Sequence, residues 1–181
     1  MDPTGVIDFW FRELEPRHWF LGSAKLDARM RRRFGAWVDA ALQGELDAWA
    51  ETPRGRLALI LLLDQFTRNI HRGAAKAFAG DARAQALVLE GLAAGTDKPL
   101  NLAERQFFYM PLVHAEDPGL QALSLKKFAE FLREAQSTVD HQKEHAAIID
   151  RFGRFPARNA ALGRASTPEE ETFLSKRRRR R

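Results

Sequence analysis

Seven consecutive apolar residues, Leu57-Ala58-Leu59-Ile60-Leu61-Leu62-Leu63, constrain this chain more than any other segment. They follow Thr52-Pro53, which reads as a helix start. The threonine hydroxyl can cap, and proline costs nothing at the first helical position, where its missing N–H has no partner to lose. The helix so opened reaches about Asn69. At about 100° per residue, a run of this length is apolar on every side. Such a helix must be enclosed by other elements and cannot lie on a surface. The run is also far too short to cross a bilayer.

The remaining segments supply the enclosing elements, and their period is helical throughout. A first helix spans about Gly5 to Glu13 and carries Phe9, Trp10 and Phe11. Ser23 can cap a second that ends near Gln43, with a stripe of Leu26, Met30, Phe34, Trp37 and Ala41. Further helices are predicted over 81–94 and from the Asn101/Glu104 capping pair to the region of Pro111, which should kink or end it. Asp117-Pro118 opens a helix to about Ala135. Ser137 can cap another to Phe152, and Thr167-Pro168-Glu169-Glu170 opens a short last one. Strand alternation and hairpin turn pairs are missing from the sequence. The expected fold is all-α, with about eight or nine helices joined by short loops into antiparallel pairs. Residues 1–175 are expected to form a single helical domain.

Charge separates the body from the end of the chain. The net charge is +5, yet residues 176–181, Lys-Arg-Arg-Arg-Arg-Arg, carry +6. Without them 23 basic residues face 24 acidic ones. The block 176–181 is expected to be a solvated, disordered basic tail, giving at most weak, salt-dependent contact with nucleic acid. There is no cysteine, which excludes disulfides and thiolate chemistry. The start, Met1-Asp2-Pro3-Thr4, lacks a signal-peptide charge pattern, so a cytoplasmic location without membrane association is the default expectation.

Three segments hold polar residues that packing does not require. In the first, Asp64-Gln65-Phe66-Thr67-Arg68-Asn69, Arg68 and Asn69 could donate to an anion, with Asp64 beside them. Equally, Asp64 and Arg68 are spaced to pair along one helix face, and a cation suits a helix C-terminus. In the second, His114 and Glu116 could form an acid–base pair, while Asp117 reads as a helix cap. In the third, Arg151-Phe152-Gly153-Arg154-Phe155-Pro156-Ala157-Arg158-Asn159, three arginines are interleaved with aromatic and turn residues. They could wall a ligand site, or tie down carboxylates and helix-end carbonyls. Arg68, Asn69, His114, Arg154, Arg158 and Asn159 are expected to meet at one pocket.

His141 and His145, with Glu144 between them, match a zinc-peptidase spacing. His145 shares its helix face with Ile149 and Phe152, however, and little chain remains to supply the further ligand such a site needs. No metal or cofactor is expected. The sequence also contains no nucleophile signature, phosphate-binding glycine loop or dinucleotide fingerprint.

The segments Val6-Ile7-Asp8-Phe9-Trp10-Phe11, Leu61-Leu62-Leu63-Asp64-Gln65-Phe66-Thr67-Arg68-Asn69-Ile70, Tyr109-Met110-Pro111-Leu112 and Arg151 to Asn159 together resemble a bacterial family known as domain of unknown function 924. So does Leu162-Gly163-Arg164 ahead of Ser166-Thr167-Pro168-Glu169-Glu170. Thr67 stands where many relatives have proline. The resemblance implies a tetratricopeptide-like helical superhelix and carries no established activity or catalytic residue. The functional expectation is a binding module whose Arg/Asn-rich pocket takes a small anionic ligand or a peptide carboxylate. The alternative is a metal-independent enzyme using the His114/Glu116 pair on an anionic substrate.

Overall fold

The computed structural model describes residues 1–178 and is helical, with no strand among the described residues. The helices are α1 (Pro3–Asp8), α2 (Ala24–Leu42), α3 (Pro53–Ile60), α4 (Thr67–Ile70), α5 (Asp81–Ala94), α6 (Leu102–Val113), α7 (Pro118–Phe152) and α8 (Pro168–Arg178). Among the described residues no helix is long and apolar enough to cross a membrane. Two compact units are present, Met1–Ala129 and Glu130 onward.

In the first unit the predicted starts are realised by side-chain caps. Ser23 accepts from the Leu26 amide at 3.4 Å, Thr52 from the Gly55 amide at 3.1 Å, and Asn101 and Glu104 exchange bonds of 3.0 Å each. At α1 the cap is Asp2, which accepts from the Thr4 amide at 3.0 Å. The run Leu57–Leu63 has at most 1% exposure at any position, as its all-round apolarity demands. Aromatic rings close around it edge to face. Phe9 lies 4.9 Å from Phe34, Phe34 lies 5.1 Å from Phe66, and Trp10 lies 5.2 Å from Phe107, centroid to centroid.

The central helix is not uniform. After Ile60 it widens into a π-helical turn, Leu61–Phe66, and then tightens into α4. Both the amide and the hydroxyl of Thr67 close on the Leu62 carbonyl, the hydroxyl at 2.8 Å. A π turn offsets the side chains that follow it and is a common device at functional sites. Gly80, just before α5, packs so tightly on Leu63 that a Cβ there would sit 2.3 Å from the Leu63 oxygen.

Two boundaries differ from expectation. The helix predicted to stop at Ala135 continues through Ser137 to Phe152, because neither proline nor glycine interrupts residues 120–152. The basic block 176–181 begins inside α8, and its last residues, 179–181, lie outside the described ones.

Within the second unit, the end of α7 faces α8 through Phe152 and Phe173, with ring centroids 5.1 Å apart, and Ile148 is buried. A short 3-10 turn, Pro156–Arg158, leads from α7 toward α8.

The Gly80 contact makes a sharp test of the packing. Gly80→Ala is expected to lower stability by about 1–3 kcal/mol, the usual cost of overpacking, measured by chemical denaturation. A change within about 0.5 kcal/mol would mean that the two backbones do not approach as described.

Candidate functional site

In the first unit the polar residues of the first two motifs meet at the end of the π turn. Asp64 is fully buried. A buried carboxylate must find donors, because desolvation of an unmet charge is costly. Its donors are Gln65 Nε2 at 2.6 Å and His114 Nδ1 at 2.8 Å, with Arg68 Nη2 further off at 3.4 Å. Arg68 makes its closer bond, 2.8 Å, to Asp81 at the start of α5, and its guanidinium lies over the Phe78 ring at 5.1 Å. Burial pushes the Asp81 carboxyl above its ordinary range, and the Arg68 charge opposes that rise. Among the described residues, Arg68 Nε and Asp81 Oδ1 are buried without a hydrogen-bond partner.

The local sequence explains why His114 is there. Pro111 has no N–H to extend the ladder, α6 closes at Val113, and His114 becomes its C-cap residue. Gln121 secures the corner by donating to the carbonyls of Val113 (2.9 Å) and Ala115 (2.7 Å). The His114 side chain keeps 28% of its surface while Asp64 keeps none. Nδ1 is the ring nitrogen that faces the Asp64 carboxylate, and that contact fixes the orientation of the imidazole. Glu116, expected to orient His114, is exposed, and the carboxylate in contact with the ring is that of Asp64.

Asn69 turns inward on its own helix and sideways to a neighbour. Its amide donates to the Gln65 carbonyl at 2.9 Å, and its oxygen accepts from Arg72 at 2.7 Å. Arg72 in turn holds Asp27 at 2.8 and 3.1 Å, and Arg31 donates to the Ile70 carbonyl.

The third motif is organised by a residue that sequence reasoning used only as a helix start. Glu170 is 2% exposed. It accepts from Arg154 at 2.7 and 2.8 Å, from Asn159 at 3.1 Å and from the Thr167 amide at 2.8 Å. The Arg154 fork is the main cause that lowers the Glu170 carboxyl from 4.5 to about 2. Arg151 is held separately by Glu169 at 2.9 and 2.7 Å. Arg158 is different. Its guanidinium lies 4.6 Å from the centroid of Phe155, and it takes no carboxylate among the described residues. It lines a groove of about 700 Å³ in the second unit, together with His145, Phe155, Ser166, Glu171 and Leu174.

Within the first unit Arg68 and His114 meet at Asp64, with Asn69 held by Gln65 and Arg72. Within the second, Arg154 and Asn159 meet at Glu170, and Arg158 lines the groove. Gln65, Asp81 and Glu170 were missed by sequence reasoning. The only available signal was that buried arginines need carboxylates, which says that partners exist and not where. His141 and His145 stack with centroids 4.5 Å apart. No cluster of three or more metal-ligating side chains forms among the described residues.

An all-helical protein in which Arg68 and Arg154 each reach a buried carboxylate is the class defined by these contacts. The chain belongs to a bacterial family of proteins of unknown function, DUF924, whose model matches residues 6–178. It is similar to the solved structure of a protein of unknown function, ATU0120, from Agrobacterium tumefaciens. The two are 38% identical with a TM-score of 0.67, over 96% of this chain and 97% of that one. No curated protein matches the chain.

The Glu170 network has a definite pH signature. A carboxyl lowered from 4.5 to about 2 on folding stabilises the protein fully above pH 4.5, and that contribution is lost as the pH falls toward 2. The melting-temperature gap between the wild type and Glu170→Gln is expected to be widest near neutral pH and to close across that window. A gap that is constant with pH would mean that Glu170 is not held as a carboxylate.

Proposed function

We propose that this protein is a binding module for a small anionic ligand or a peptide carboxylate, held in the groove of the second unit. The observation that carries the reading is the state of Arg158. Arg151 and Arg154 are neutralised by Glu169 and Glu170, while Arg158 reaches the groove with its fork held by a ring face. A stacked guanidinium is immobilised yet keeps its in-plane donors for an incoming carboxylate or phosphate. The groove lies in the range that small-ligand sites occupy. Asn159, donating to Ser166 at 3.1 Å and to Glu170, ties the groove wall to the buried carboxylate.

Thermal shift against acetate, benzoate, phosphate and sulfate tests the reading. Binding raises the melting temperature by mass action, with about 2.7 kcal/mol of stabilisation at a hundred times Kd. Arg158→Ala is expected to abolish the rise and leave the ligand-free melting temperature within a degree or two. A flat panel, or a rise that survives Arg158→Ala, rejects the groove as the site.

A second reading, acid–base chemistry in the first unit, is favoured by the 2.8 Å contact between His114 and the fully buried Asp64. A carboxylate that fixes the ring by Nδ1 and leaves Nε2 as base is the arrangement general acid–base catalysis requires. Turnover on a panel of esters, phosphoesters and sugar phosphates is expected to fall about 100-fold or more in His114→Asn and to persist in Glu116→Gln. Equal losses in both variants would remove Asp64 from this role and restore it to Glu116.

A further inference from the structure

Arg158 shares its groove with a charge of opposite sign. Glu171, on the first turn of α8, lines the same groove, and among the described residues it takes no ion-pair partner. Arg158 and Glu171 are not within ion-pair distance of each other, since no such bridge forms between them. A cation and an anion on one concave surface, neither with an ion-pair partner among the described residues, can be met together by a single ligand bearing both charges. His145 also lines the groove, its ring edge to face with Phe155 at 5.7 Å, and the rest of the lining is apolar apart from the hydroxyl groups of Ser166 and Ser175. Ser175 already donates to the Thr172 carbonyl at 2.9 Å, so its oxygen faces ligands chiefly as an acceptor.

Resting on the reading of this groove as a ligand site, we infer that its ligand is amphoteric: a free amino acid or short peptide with an apolar side chain, its carboxylate on Arg158 and its ammonium on Glu171. Each part of the assignment follows from charge and shape. The guanidinium fork matches a carboxylate in two parallel bonds. An ammonium, with three donors, needs acceptors, and Glu171 offers two carboxylate oxygens with a serine hydroxyl on the same lining. The Phe155 ring and Leu174 offer an apolar side chain a place out of water. A simple dianion such as phosphate gains from Arg158 but is repelled by Glu171, so it still binds at Arg158 but more weakly than a ligand that meets both charges.

The flanking glutamates explain why Glu171 remains available. Glu169 and Glu170 are engaged by Arg151 and Arg154. Successive helical residues project about 100° apart, so the third member of the run faces elsewhere.

The test is isothermal titration calorimetry on the full chain with three probes: the dipeptide Ala-Phe, its N-acetyl form and its C-terminal amide. Ala-Phe is expected to bind at least tenfold more tightly than either blocked form. Arg158→Ala is expected to weaken Ala-Phe and N-acetyl-Ala-Phe alike. Glu171→Gln is expected to erase the preference for Ala-Phe over its N-acetyl form, weakening the former and leaving the latter as tight or tighter. If N-acetyl-Ala-Phe binds as tightly as Ala-Phe and depends on Arg158, the amphoteric assignment is overturned while the carboxylate site stands. If no probe binds, or binding ignores Arg158, the groove reading fails together with it. Chemical-shift changes confined to residues outside Phe155–Arg158 and α8 would also overturn the assignment.

Discussion

A carboxylate with no exposed surface sets the terms for the first unit. Asp64 sits at the end of a helix that is otherwise apolar on every side, and its charge must be met where water is excluded. The π turn carries it into reach of α6 and α5 at once. His114 arrives as the C-cap residue of α6, which runs past Pro111 and closes at Val113. Arg68 follows on the same helix, and Asp81 balances the part of its charge that Asp64 does not take. Gly80 precedes Asp81 because only a residue without Cβ lets α5 start so close to the Leu63 carbonyl. Packing and charge satisfaction are thus one problem here, solved by the same few residues.

Glu170 plays the matching part in the second unit, by a different route. There the buried carboxylate is the N3 residue of a capping box with Thr167, which also accepts an arginine fork and an amide. One side chain starts α8 and fixes the irregular segment in front of it. A coil carrying several arginines is ordered because its cations converge on α8, not because the coil has structure of its own.

The helical class was legible in the sequence because it rests on local rules. The apolar run at 57–63 and the Ser23, Thr52 and Asn101 caps act within four residues of themselves. The continuous α7 shows the limit of such rules. Ser137 is a good cap residue, but a cap needs a break to occupy, and without proline or glycine the chain simply continues. The candidate sites were legible only in part. Sequence spacing found Asp64 with Arg68, a pair within one turn. It could not find Asp64 with His114, fifty residues apart, and it chose Glu116 because Glu116 was near in the chain. Likewise Arg154 was marked, and the carboxylate that holds it, sixteen residues on, was taken for part of a helix start.

The first turn of α8 carries three glutamates in succession, and each answers to a different neighbour: Glu169 to Arg151, Glu170 to Arg154 and Asn159, and Glu171 to the groove. Identical residues are distinguished only by angular register. Inserting one residue between Thr167 and Glu169 would leave composition and charge unchanged in kind, yet it would rotate every glutamate into its neighbour's bearing. The identity of this segment therefore resides in its phase along the helix, and an aligned relative with the same three acids shifted by one position would present a different surface.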